Sequence, residues 1–125
     1  MDKIEEAIAK YLSYFIPQNK GTAIFFAPHD VLKWYNYKSV TIRNKVLTRY
    51  VLDASSALGI SLYRVVTYRR GVDKYYNAYV IYEINNDSYA WRLALRGWHE
   101  LYNAIRDAVE QFEDIQEKAR APAIA

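Results

Sequence analysis

Cysteine is absent from the 125-residue chain, which excludes a disulfide framework and any thiolate metal site, zinc fingers included. Histidine is nearly as scarce. His29 and His99 are far apart in sequence, and each has a single adjoining carboxylate, Asp30 and Glu100. Adjacent side chains in a helix or at its start point apart, so neither pair makes a base with its orienting partner. A phosphate-binding glycine loop, GxSxG and HExxH are missing as well. The chain therefore reads as a non-enzyme that needs neither cofactor nor metal. Long apolar runs are also lacking: no stretch reaches the ~18 uncharged residues of a membrane span. The start MDKIEEAIAK is acidic and amphipathic where a signal peptide is basic and then apolar. The expectation is a soluble, cytoplasmic protein with no membrane partner.

What is present is the material of one globular core. Hydrophobic residues make up 52% and charged residues 25%, a balance that argues against disorder. The length suffices for one ordinary domain and not for two. The net charge of +3 hides a segregation. Residues 31–80 carry Lys33, Lys38, Arg43, Lys45, Arg49, Arg64, Arg69, Arg70 and Lys74 against Asp53 and Asp73, a net of +7, while residues 1–30 and 97–125 are net acidic. Like charges crowded together repel, and a polyanion that releases its counterions on binding offsets that repulsion.

Proline and glycine, only three and four in number, punctuate the chain. Apolar residues at helical spacing from Asp2 to Phe15 predict a first helix stopped at Pro17. Thr22 to Phe26 is a short apolar run that reads as a strand. Pro28 opens a short second helix through Val31, Leu32, Trp34 and Tyr35. Ser39 or Thr41 caps a third, in which Ile42, Val46, Tyr50, Ala54 and Ala57-Leu58 are expected to face the core before Gly59 ends it. Ile60 to Arg69 and Tyr75 to Ile84, rich in β-branched and aromatic residues, pair as a hairpin around Arg70-Gly71-Val72-Asp73-Lys74. After the capping run Asn85-Asn86-Asp87-Ser88 the chain is helical to about Arg120, apart from Gly97. There Trp91, Leu95, Trp98, Tyr102, Ile105, Val109 and Phe112 recur in a heptad pattern, expected to join two copies as a homodimer. The domain boundaries expected are 1–86 for the binding domain, 87–120 for the long helix and 121–125 for a tail.

This order of elements resembles the winged-helix fold, an α+β arrangement of helix, short strand, a helix-turn-helix and a two-stranded wing. The resemblance covers residues 4–84 and lies in element order and charge, not in a strict motif. It implies that TAIFF is the first strand, VTIRNKVLTRYVLDASSALG the recognition helix and SLYRVVTYRRGVDKYYNAYVIYEI the wing. The turn Asn36-Tyr37-Lys38-Ser39 departs from many members in lacking glycine. A long seam-bearing helix after the wing is similar to the dimerising helix of small bacterial and archaeal winged-helix regulators and chromatin-associated proteins.

With Ile42 and Val46 turned inward, Thr41, Asn44, Lys45, Thr48 and Arg49 fall on the outer side of the third helix. Asn44 and Lys45 then suit base edges in the major groove of double-stranded DNA, and Lys38, Arg43 and Arg49 suit phosphates. Arg69, Arg70 and Lys74 crowd the hairpin tip, where arginine gains from the potential of a narrow minor groove. Tyr76 beside the tip fits a phosphate or an exposed base. A symmetric dimer would place two recognition helices ~34 Å apart on a pseudo-palindrome, as a transcriptional regulator or an architectural or partition factor does. Two other readings stay open: a single-strand binder stacking bases on a tyrosine-rich sheet, and an assembly subunit that uses the heptad stripe.

Overall fold

The computed structural model describes residues 2–69 and 75–120, with side-chain placement for 3–67 and 80–120. Arg70 and Lys74 of the predicted hairpin tip lie outside the described residues, as do the side chains of Arg69 and Tyr76.

Helix α1 (Asp2–Phe15) buries Ile4, Ala7, Ile8 and Leu12 at the spacing of one helical face. It sits at the centre of the helical layer, against α2 (Pro28–Tyr35), α3 (Ile42–Ala54), α4 (Tyr89–Arg96) and α5 (Trp98–Arg120). That surround explains why Ala9 and even Glu5 are buried with the apolar stripe. Pro17 ends α1 in a 3-10 turn, Ile16–Gln18. Strand β1 (Ala23–Phe26) then alternates, with Ile24 and Phe26 inward and Phe25 outward. Pro28 opens α2, and the Asp30 carboxylate accepts the Ala27 N–H at 2.8 Å, satisfying one of the free donors at that helix start.

Strands β2 (Ile60–Arg69) and β3 (Tyr75–Asn85) pair antiparallel from Ile60↔Ile84 to Arg69↔Tyr75, with irregularities in β2 at Leu62/Arg64 and Val66/Thr67. β1 joins the other edge of β3, giving the order β1-β3-β2. Gly59, at φ +91°, turns the chain from α3 into β2. A Cβ there would come within 2.4 Å of Ser88 Cβ, so the close approach of the α4 cap also requires glycine. Among the described residues the fold is α+β, with five α-helices on one three-stranded antiparallel sheet. No helix among them is long and apolar enough to cross a membrane.

Two expectations change. The C-terminal helix is two helices, because Gly97 at φ +129° breaks the run between α4 and α5. The predicted seam is this fold's own packing surface: Trp91, Ile105 and Val109 are buried in the core, and Trp98, Tyr102 and Phe112 pack partly against it. α5 lies chiefly along α1, and six of the seven side chains pack wholly or partly within the fold itself. Of the seven, Leu95 alone stands exposed.

Candidate nucleic-acid interface

Helix α3 is held at both ends by side-chain hydrogen bonds, and these decide which face it shows. At its start the Thr41 hydroxyl accepts the Asn44 backbone N–H at 3.1 Å. The Asn44 side-chain amide donates to the Ser39 carbonyl at 2.9 Å, tying α3 to the turn Tyr37–Ser39 that follows α2. One turn on, the Thr48 hydroxyl donates to the Asn44 carbonyl at 2.7 Å, and Thr48 is fully buried. At the other end the Tyr82 hydroxyl donates to the Asp53 carboxylate at 2.7 Å, fixing the root of the hairpin to the last turn of α3. Burial, and then the bond to Asp53, push the Tyr82 phenol well above its ordinary range. α2 is braced in turn on α1: the Tyr35 hydroxyl donates to Glu6 at 3.1 Å, and Lys10 pairs with the same carboxylate at 3.3 Å. Lys10 and Tyr35 together hold the Glu6 carboxyl below the usual range.

The inward face of α3 therefore comprises Thr48, Val51, Leu52 and Ala54, with Leu47 and Tyr50 packed partly against the core. This corrects the predicted phase. Ile42 and Val46, expected inside, are 81% and 61% exposed. Thr48, expected outside, is in the core and not free to read a base, while the half-buried Asn44 gives one of its two amide hydrogens to the Ser39 carbonyl. Thr41 is exposed and occupied as the cap.

The stripe that does face water is Ile42, Lys45, Val46 and Arg49, at spacings of three and four. Asp53 is the one acidic residue of α3. It lies 3.9 Å from Arg49 Nε, and with both side chains about half exposed the pair leaves the arginine available to another anion. Arg43 turns toward a cleft of about 590 Å³ between α1, α2 and α3, also lined by Lys3, Tyr35 and Asn36. Lys33 on α2 and Lys38 in the following turn are exposed. On β2, Tyr63 and Arg64 face water, and the Tyr63 ring meets Phe25 of β1 edge-on at 4.8 Å.

The outward phase of Ile42 and Val46, which the sequence pattern placed inside, carried a signal. Leu47, Tyr50, Val51, Ala54 and Leu58 form a denser apolar stripe than the one that begins at Ile42. Compared with protein-family models, with characterised proteins and with solved structures, the chain matches none.

Proposed function

We propose that this chain binds duplex DNA as a winged-helix protein, with α3 entering the major groove and the β2–β3 hairpin lying along the backbone as the wing. The observation that carries the reading is the outer stripe of α3, where Lys45 and Arg49 stand in water with no acid in the first three turns. The frame around it supports the same reading. Helix, strand, helix, turn and helix precede a hairpin whose second strand is central in the sheet, and Tyr82 locks that hairpin to α3. An α-helix of this size fits the major groove, and cations along it supply the phosphate contacts that dominate affinity. Three of the seven seam residues are buried in the core and three more pack partly against it, so the proposal is made for a single copy.

One observation favours a second reading. Phe25 and Tyr63 form an exposed aromatic pair on the sheet's outer face, and such platforms stack single-stranded bases. Competition between duplex and single strand of the same sequence separates the two. The duplex is expected to win, with Lys45→Ala and Arg49→Ala weakening binding more than Phe25→Ala or Tyr63→Ala; the reverse ranking, with single strand preferred, would overturn the duplex proposal.

A further inference from the structure

Ile42 is the most exposed large apolar side chain among the described residues, and Val46, one turn on, is also mostly in water. Neither position is explained by the fold. Both side chains lie away from the core, and β-branched residues are weaker helix formers than the alanine or lysine that an exposed helix position usually holds. Their setting is specific: Lys45 and Arg49 share the stripe with them, so the surface is an apolar pair set among cations. An apolar protein partner would have to strip water from both cations without replacing it. The major groove of DNA matches the mixture, since its rim is phosphate and its floor carries one apolar group, the C5 methyl of thymine.

We infer that Ile42 and Val46 read thymine by packing against C5 methyl groups, while Lys45 and Arg49 hold the strand beside them. This rests on the duplex reading above and adds the base that is read. The two side chains are about 6 Å apart along the helix axis, close to the roughly 7 Å between bases two steps apart on one strand. Alternating A·T duplex presents thymine at that interval on each strand.

The test compares short alternating A·T duplex with the same duplex carrying deoxyuridine for thymidine, which removes the methyls and keeps every hydrogen-bonding group. Binding is followed by fluorescence anisotropy, with circular dichroism to check that each variant is folded. The wild type is expected to lose about fourfold in affinity per methyl, and on the order of 15-fold for two, when uridine replaces thymine. The double variant Ile42→Ala, Val46→Ala is expected to bind both duplexes alike while keeping its salt dependence. Equal wild-type affinity for the two duplexes, with steep salt dependence intact, overturns thymine reading and leaves duplex binding standing. Absence of salt-dependent duplex binding overturns the underlying reading. A fall in sedimenting mass for the double variant identifies a second copy as the occupant of the pair and also overturns the inference.

Discussion

Tyr82 shows at the scale of one residue how the outer face of α3 is tied to the core. Its ring is fully buried between the sheet and α3, and its hydroxyl reaches the Asp53 carboxylate at the edge of the exposed stripe. Hydrogen bonds to charged groups contribute more than neutral ones, and the partial exposure of Asp53 lowers that somewhat, so Tyr82→Phe should cost about 1–2 kcal/mol in urea unfolding. The pH dependence follows from the direction of the shift. The folded phenol is held above the ordinary value near ~10. This contribution is thus complete below about pH 10 and is lost as pH rises further, because the unfolded phenol ionises first. Tyr11, which burial pushes up to about 12, adds to the same alkaline loss. Stability measured across that range should fall for the wild type and less steeply for Tyr82→Phe. Thr48 gives a contrasting prediction. Its hydroxyl bonds only the carbonyl one turn back within its own helix, so Thr48→Val should change stability by no more than about 1 kcal/mol and leave DNA affinity unaltered. A loss of affinity in that variant would return Thr48 to the binding face.

At the scale of elements, the helices and strands were legible wherever a single interaction fixes them. Pro28 at the start of α2, Thr41 as the cap of α3, Ser88 as the cap of α4 and Gly59 at the turn into β2 each act through neighbouring backbone. Rotation of a helix about its axis depends on what it packs against, and that was not legible for α3. Ile42 and Val46 are apolar and one turn apart, which satisfies a periodicity criterion even though both are mostly exposed. Thr48 is polar by composition yet hides its hydroxyl against its own helix. The packing partner of the predicted seam was not legible for a related reason. A heptad stripe demands an apolar partner without naming it, and here α1 of the same chain is that partner. The break at Gly97 is the one departure in this region that the sequence marked. Its φ of +129° lies where residues with a Cβ are strained, so Gly97→Ala should destabilise by about 1–3 kcal/mol although the space around it is open. Stabilisation by that substitution would mean that α4 and α5 can fuse into one helix.

For the whole molecule, fold and charge meet at α3. The acidic segments fall at the two ends of the chain, in α1 and α5, which pack against one another. The basic middle forms α2, α3 and the hairpin. The packing that buries α1 against α5 thus brings the acidic segments together and leaves Lys45 and Arg49 facing outward beside Ile42 and Val46. The most direct measurement of the central claim is the affinity for duplex DNA between ~50 and ~200 mM salt, for the wild type and for Lys45→Ala with Arg49→Ala. The account predicts that wild-type affinity falls steeply with salt and that the double variant binds more weakly, its slope shallower by about one for each phosphate it no longer neutralises. Wild-type affinity that is flat with salt, or a double variant that binds as tightly as the wild type, would contradict it.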